Sequence, residues 1–246
     1  MPLGKRFSAT TEDYAKALYA LQARGEGPVG TSALADRLGL TPGSVSAMLR
    51  KLQELGLLSL TPYHGVQLTD EGKQLALEVM RHHRLLELFL AEQLGMSWDR
   101  VHDEAEVLEH CLSEDLEAAI DEKLGHPTVD PHGDPIPTAD LRIDEGSSVS
   151  LTSLRPGQRG IFVRVSDSDP EMLRWLAERE IAPGERLQVV NQQPFDGPMF
   201  LRIAGKEVVL GGRLAASMRI ELDPEGWQPG PGQELGAVDQ LEGRDS

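Results

Sequence analysis

The chain has 246 residues, of which 39% are hydrophobic, with one cysteine (Cys111) and a formal net charge of −16. The hydrophobic content suffices for a packed core, and the single cysteine excludes an intrachain disulfide framework, so a cytoplasmic location is expected. The sequence has neither the run of about 18 apolar residues that a membrane-spanning helix needs nor the apolar region of an N-terminal signal peptide.

The negative charge is concentrated outside the first third of the chain. Residues 1–73 contain 8 Lys plus Arg and 7 Asp plus Glu, against 24 and 40 in the whole sequence. The remainder therefore holds 16 basic and 33 acidic residues. Because an acidic surface repels a phosphate backbone, any contact with nucleic acid is expected in the N-terminal part.

The N-terminal part has the pattern of a winged helix-turn-helix. Helices are predicted at 10–24, 31–38 and 42–55. The tight turn Gly39-Leu40-Thr41 joins the second helix to the third, and Gly56 ends the third. Two short apolar runs, at 57–60 and 66–69, flank the turn TPYHG and predict a β-hairpin, which would be the wing.

The third helix is predicted to enter the major groove of DNA, because Ser, Thr and basic residues crowd one end of it. The candidate DNA contacts are Arg37, Thr41, Pro42, Ser44, Ser46, Arg50 and Lys51. The candidate base readers are small and include neither Arg nor Gln, so DNA shape is expected to contribute to recognition. The alternative is a winged helix that binds another protein.

Two longer helices are predicted next, at roughly 70–94 and 98–124. On an ideal helix, His102, Glu106, Glu109 and His110 lie on one stripe, and the preceding helix offers His83 and Glu87 at i and i+4. Carboxylates at this spacing repel each other unless something neutralises them. The oxygen and nitrogen donors indicate Mn²⁺, Fe²⁺, Co²⁺ or Zn²⁺. The alternative is a solvated acidic helix face.

The C-terminal part is predicted to be a small β-barrel. Short β-rich runs occur at 160–165, 186–190, 199–203, 207–211 and 218–222, with a helix near 170–180 between the first two. The predicted organisation is therefore α+β and multidomain. Its parts are a winged helix-turn-helix at 1–73, a helical domain at 74–144, a linker at 145–158, the barrel at 159–223 and a disordered tail at 224–246.

Several motifs occur together over about residues 8–222: TTEDY (10–14), the winged helix-turn-helix, MRHHRLLE (80–87), VHDEAEVLEH (101–110), HGDPIP (132–137) and the C-terminal β-rich segment. In combination they resemble the diphtheria-toxin-repressor-like (DtxR/MntR) family of metal-dependent transcriptional regulators, in its long three-domain form. The resemblance implies a helical dimerisation domain and a Src-homology-3-like barrel. It also implies a homodimer that binds a pseudo-palindromic double-stranded DNA operator and, when loaded with metal, represses metal-uptake genes.

The same resemblance implies which residues bind metal. A primary site is implied at Asp13, Glu106, Glu109 and His110, and an ancillary site at His83, Glu87 and His102. The barrel segment DSDPEM (167–172) matches a region that supplies further ancillary ligands in some members, which points to Asp169 or Glu171.

The choice of metal follows from two positions. Iron-type members have Cys where Glu106 stands and Met where Asp13 stands, whereas manganese-type members have carboxylates, as this chain does. Mn²⁺ is therefore expected, with Fe²⁺ second, and Co²⁺, Zn²⁺ or Cd²⁺ are expected to substitute in vitro. Lys16 stands where manganese-type members have an acid, which argues against a two-metal cluster.

Two other functions remain as alternatives. One is a metal-independent winged-helix regulator that senses another ligand. The other is a metallohydrolase, which would need an open coordination position and a general base outside the ligand set. The sequence shows no separate nucleophile and no Gly-rich phosphate loop, so an enzyme is not expected.

Overall fold

The computed structural model describes residues 7–24, 27–61, 65–195 and 197–224. Within these residues the chain forms two compact units. The first unit extends to Asp130 and also includes Pro135–Glu145, whereas the second comprises Pro131–Asp134 and resumes at Gly146. The chain therefore crosses from the first unit to the second twice. The predicted tail lies outside the described residues, apart from Pro224.

The first unit begins with the predicted winged helix-turn-helix. Its helices are α1 (Ala9–Arg24), α2 (Thr31–Leu38) and α3 (Pro42–Glu54), and its wing is formed by β1 (Leu58–Thr61) and β2 (Gly65–Leu68). Gly39 ends α2 in the left-handed region, at φ 65°, which permits the tight turn into α3. The strands pair antiparallel, with Leu58 opposite Leu68. Residues 62–64 of the wing's turn lie outside the described residues.

The wing is fixed to the rest of the unit through β2. Val29 pairs with Val66 as an isolated antiparallel bridge, and the two residues exchange both backbone hydrogen bonds. Gly65 lies so close to this segment that a Cβ there would come within 2.6 Å of the Val29 carbonyl oxygen. A side chain at position 65 would thus push the wing away from its support.

Helix α4 (Asp70–Leu94) is shared by two hydrophobic cores. Its N-terminal half contributes Leu75 and Val79 to the core of the winged helix. Its C-terminal half contributes Leu85 and Leu88 to a second core. Because the middle of α4 is covered on most sides, four of its polar residues are also buried, and a buried polar side chain needs a partner. Those residues are Arg81, His82, His83 and Glu87.

The prediction of a single helix at 98–124 is wrong. The structure has α5 (Val101–Leu108), a 3₁₀ turn (Glu109–Cys111) and α6 (Glu114–Leu124). Leu112 is extended, and Ser113 caps α6 by accepting a hydrogen bond from the Leu116 N–H at 3.3 Å. A serine side chain that caps a new helix stabilises a helix start at that position over the continuation of the preceding helix.

The second unit is built on a six-stranded antiparallel sheet in the order β3-β8-β4-β5-β6-β7. Its strands are β3 (Val149–Ser150), β4 (Arg159–Val165), β5 (Arg186–Gln192), β6 (Met199–Ile203), β7 (Lys206–Leu210) and β8 (Met218–Leu222). Helix α7 (Pro170–Ala177) follows β4, and α8 (Gly212–Ser217) precedes β8. The five predicted strands are present. Strand β3 falls within the segment predicted as a linker, and α8 was missed because its six residues carry little periodic signal.

Candidate metal centre

Three predicted ligands from distant parts of the sequence converge in the first unit. Asp13 lies in the second turn of α1, and Glu109 and His110 lie in the 3₁₀ turn after α5. Each offers one ligand atom, and these atoms lie within 4.8 Å of one another. His110 Nε2 is 3.0 Å from Asp13 Oδ1 and 3.6 Å from Glu109 Oε1. We call this cluster the α1 group.

Glu12 orients the imidazole of the α1 group. His110 Nδ1 lies 2.6 Å from Glu12 Oε2, a distance that makes Nδ1 the donor to this carboxylate. In the neutral ring Nε2 then presents its lone pair towards Asp13. Among the described residues, Asp13 Oδ1 is a buried oxygen without a hydrogen-bond partner, and burial raises the pKa of this carboxyl. His110 Nε2 and the buried Asp13 Oδ1 thus face each other at 3.0 Å.

Glu106 does not join the α1 group. Its Oε1 accepts a hydrogen bond from Lys16 Nζ at 2.7 Å, and Lys16 Nζ also donates to Glu109 Oε1 at 2.6 Å. Burial opposes the charged form of Lys16, but the carboxylates of Glu109 and Glu106 outweigh burial and raise the pKa of the ammonium group. Conversely, burial disfavours the Glu106 carboxylate, but Lys16 prevails and lowers the pKa of Glu106.

The three residues predicted for the ancillary site also converge, between α4 and α5. His83 Nε2 lies 3.0 Å from Glu87 Oε1 and 3.2 Å from His102 Nδ1, and His102 Nδ1 lies 3.3 Å from Glu87 Oε1. We call this cluster the α4 group. Burial opposes protonation of His83, but hydrogen bonds to Glu109 and Glu87 outweigh it and raise the pKa of His83 to about 9.

Glu109, a member of the α1 group, also contacts His83 of the α4 group. Its Oε2 lies 2.5 Å from His83 Nδ1, on the opposite side of the carboxylate from Lys16 and His110. Its side chain is 0% exposed. The backbone carbonyl of Glu109 also lies 3.2 Å from His82 Nδ1, and His82 Nε2 lies 3.0 Å from Glu117 on α6. Sequence reasoning missed Glu12, His82 and Glu117, because their roles depend on the break between α5 and α6.

The two predicted barrel ligands, Asp169 and Glu171, lie in the second unit, and the contacts of Asp169 are with residues of that unit. Asp169 caps α7 by accepting a hydrogen bond from the Glu171 N–H at 3.1 Å, and it pairs with Arg213 at 3.2 Å. Glu171 is exposed in the first turn of that helix. Their assignment as metal ligands stays a prediction.

The predicted DNA contacts lie at the surface around α3. Arg37, Thr41, Pro42, Ser44, Arg50 and Lys51 are exposed, and Ser46 is partly exposed. Thr41 caps α3 by accepting from the Ser44 N–H at 3.2 Å, and Ser46 Oγ donates to the Pro42 carbonyl at 2.8 Å. These hydroxyl groups therefore already stabilise the first turn of the helix.

Family models match all three parts of the chain. Residues 6–66 match the N-terminal DNA binding domain of iron dependent repressors, 69–138 match their metal binding and dimerisation domain, and 149–222 match the FeoA domain. The iron-dependent repressor IdeR of Mycobacterium tuberculosis (strain ATCC 25618 / H37Rv) is 31% identical over 224 residues, covering 86% of this chain and 96% of that protein. The chain belongs to the iron-dependent repressor family.

Solved structures of other repressors have the same fold. A manganese-dependent transcriptional repressor in complex with manganese is 42% identical, with a TM-score of 0.79 over 85% of this chain and 98% of that one. The repressor ScaR with bound Zn²⁺ is 30% identical, with a TM-score of 0.72 over 86% and 98%. The predicted fold class and the predicted function of a metal-dependent, DNA-binding transcriptional repressor are confirmed.

Members of this repressor family bind operator DNA as dimers, as their DNA-binding and dimerisation domains indicate. Proteins of this family are transcriptional repressors rather than enzymes. Within the described part of the chain, none of the helices has the length and apolar character required to cross a bilayer.

Proposed function

We propose that this repressor is activated by Mn²⁺, with Fe²⁺ as the second candidate, and that it represses metal-uptake genes when loaded. The observation that carries the proposal is the convergence of Asp13 with Glu109 and His110. Asp13 belongs to a helix of the DNA-binding domain, whereas the other two belong to the metal-binding and dimerisation domain. A cation held by all three would link the two domains.

The donor set of the α1 group fits a divalent cation. The buried oxygen of Asp13 and Nε2 of His110 lie 3.0 Å apart, a contact that needs a positive charge, either a proton or a cation, between the two atoms. The cation would supply that charge. Glu12 would hold His110 in the ligand tautomer, as carboxylates do for metal-bound imidazoles. The α4 group, formed by His83, Glu87 and His102, is proposed as the ancillary site.

The ligand atoms favour manganese over softer ions. The α1 group offers two carboxylates and one imidazole, and Glu106 adds a third carboxylate close by; none of these residues offers sulfur. Carboxylate-rich ligand sets suit Mn²⁺ better than thiolate-containing ones do. The likeness to a manganese-dependent repressor solved with manganese supports this choice, while the relation to IdeR keeps Fe²⁺ second.

The link between α1 and the 3₁₀ turn explains how metal would control DNA binding. Asp13 is on α1, which packs against α2 and α4 in the core that also supports α3. Fixing α1 would fix the orientation of α3, whose exposed face carries Arg50 and Lys51. In a dimer, two fixed α3 helices can match two half-sites of a pseudo-palindromic operator.

Operator binding tests the proposal directly. DNA selected from a random-sequence pool in the presence of Mn²⁺ provides the probe. We expect a chelator to abolish binding and added Mn²⁺ to restore it. His110→Ala should lose the Mn²⁺ dependence and remain dimeric, because His110 supplies a ligand rather than a core contact. The matched control is Glu104→Ala, which removes an exposed carboxylate from the adjacent helix α5.

Three outcomes would contradict parts of this proposal. Binding that persists in chelator would indicate a metal-independent regulator. A His110→Ala protein with unchanged Mn²⁺ dependence would refute the α1 group as the activating site. Restoration by Fe²⁺ at concentrations where Mn²⁺ fails would reverse the order of the two metals.

A further inference from the structure

Lys16 places a positive charge among the proposed metal ligands. Its ammonium group donates to Glu106 Oε1 at 2.7 Å and to Glu109 Oε1 at 2.6 Å. The Lys16 side chain is only 19% exposed, and that of Glu109 is fully buried. The pair with Glu109 is therefore not a solvated surface ion pair of the kind that contributes little to stability, whereas the Glu106 side chain in the other pair is 40% exposed. The ammonium group neutralises two carboxylates that would otherwise repel each other.

The ammonium group and the α1 group use the same oxygen. Glu109 Oε1, which receives the hydrogen bond from Lys16, lies 3.6 Å from His110 Nε2. Lys16 and Asp13 are three residues apart on α1 and therefore lie on the same helix face, one turn from each other. A cation bound by Asp13, Glu109 and His110 would thus share a carboxylate oxygen with a second positive charge.

We propose that Lys16 is a built-in counter-cation that competes with the metal ion for Glu109 and Glu106. In the metal-free protein it holds these carboxylates together and links α1 to α5 and to the 3₁₀ turn that follows it. On loading, the metal ion must share or displace this ammonium group, so Lys16 weakens metal binding. The repressor is thereby set to respond at a higher metal concentration than its ligands alone would give. This inference rests on the proposed function of the α1 group.

The competition predicts two effects of opposite sign in one variant. Lys16→Met keeps a long, flexible side chain and removes the charge. Its Mn²⁺ affinity should rise by about tenfold or more, because a repelling charge at close range is gone. Its thermal stability in chelator should fall, because Glu106 and Glu109 then lose the ammonium group that they share, and Glu109 keeps only His83 as a cationic partner. A lysine that only supported the fold would lower both quantities on removal.

The measurements are Mn²⁺ affinity by competition with a fluorescent chelator and thermal unfolding in EDTA, both on the full-length protein. Lys16→Arg keeps the charge and should retain an affinity near that of the wild type. Lys73→Met removes a lysine whose pair with Asp70 is exposed, and it should change neither quantity. His110→Ala should lose Mn²⁺ binding at the α1 group.

Each outcome decides the inference. Tighter Mn²⁺ binding by Lys16→Met, together with lower metal-free stability, supports it. Unchanged or weaker binding by Lys16→Met overturns it, as does unchanged stability in EDTA. If His110→Ala loses Mn²⁺ binding while Lys16→Met binds as the wild type does, the competition is refuted and the proposed site stands. If His110→Ala binds Mn²⁺ as the wild type does, the site itself is refuted, and the inference with it.

Discussion

At the scale of single residues, Glu109 contacts both groups of the candidate metal centre. One carboxylate oxygen accepts a hydrogen bond from Lys16, the other lies 2.5 Å from His83, and the backbone carbonyl lies near His82. A buried carboxylate with this many partners has little freedom to rotate. The orientation of Glu109 therefore ties the α1 group to the α4 group, and a change in one group reaches the other through a single side chain.

The contact between Glu12 and His110 gives a prediction at this scale. Glu12→Gln replaces an obligatory acceptor with an amide that can also donate, so His110 is no longer held with its proton on Nδ1. We expect Mn²⁺ affinity to fall by roughly 10- to 100-fold, as for other partners of metal-bound histidines. Competition with a fluorescent chelator measures the change.

Glu104→Gln, on the exposed face of α5, serves as the control for Glu12→Gln and should bind Mn²⁺ as the wild type does. Thermal unfolding in EDTA should be similar for the two variants. An unchanged Mn²⁺ affinity in Glu12→Gln would show that the tautomer of His110 does not depend on Glu12.

The sequence predicted which side chains of the candidate metal centre converge better than it predicted their geometry. Helical spacing placed Glu106, Glu109 and His110 on one stripe with His102. The structure brings Glu109 and His110 to Asp13, as the family resemblance implied, but turns Glu106 towards Lys16. The difference arises because α5 stops at Leu108, and a 3₁₀ turn has a different angular spacing from an α-helix. Periodicity alone contains no information about such a break.

At the scale of elements, the start of α4 depends on a close backbone approach. Gly72 lies in the first turn of α4, where a Cβ would fall 1.9 Å from the Leu57 carbonyl oxygen. That carbonyl accepts the hydrogen bond of the Thr69 N–H at 3.0 Å, and Thr69 caps α4. The first turn of α4 thus packs directly against the backbone of Leu57, the residue that precedes the wing.

Gly72→Ala is predicted to destabilise the first unit. The added methyl group has no room without a shift of backbone, so the free energy of unfolding should fall by roughly 1–3 kcal/mol. Gly43→Ala is the matched control, because a Cβ there would meet only Thr41 Oγ1, at 4.0 Å. Alanine at that position in α3 should leave stability unchanged or raise it by up to about 1 kcal/mol. Urea unfolding followed by circular dichroism measures both; equal midpoints for the two variants would refute the steric argument.

The elements themselves were largely predictable. The ends of the first four helices were predicted to within one residue, and Gly39 marks the end of α2 in both the prediction and the structure. Signals that end a helix act locally, so they are visible in the sequence. Strand β3 and helix α8 were missed, because elements of two and six residues give no periodic signal. Strand β3 depends on pairing with β8, and α8 depends on packing nearby.

At the scale of the whole molecule, the division of the chain was only partly predictable. Charge distribution and family motifs indicated three parts. However, α4 contributes Leu75 and Val79 to one core and Leu85 and Leu88 to the other, so the winged helix and the helical region form one compact unit. No composition shift marks a helix that serves two cores. Through this continuity, the winged helix and the region with the candidate metal ligands share helix α4.

Coupling through that unit yields a reciprocal prediction. If Mn²⁺ tightens operator binding by some factor, operator DNA must tighten Mn²⁺ binding by the same factor, and a tenfold effect corresponds to about 1.4 kcal/mol. Calorimetric titration with Mn²⁺, with and without the selected operator, measures this factor. His110→Ala should show no coupling. Equal Mn²⁺ affinities with and without operator would rule out metal-controlled orientation of α3.

The chain passes between its two units three times, which has a consequence for genetic dissection. Residues Pro131–Asp134 belong to the second unit although Pro135–Glu145 return to the first. Gly133 fits against the Val163 backbone so closely that a Cβ would lie 1.9 Å from its carbonyl oxygen, and the Val165 N–H donates to the His132 carbonyl. A gene fragment that starts at Gly146 therefore encodes an incomplete module. Exchanging this module between relatives requires two recombination boundaries, one on each side of the four-residue insertion, in addition to the obvious one at Gly146.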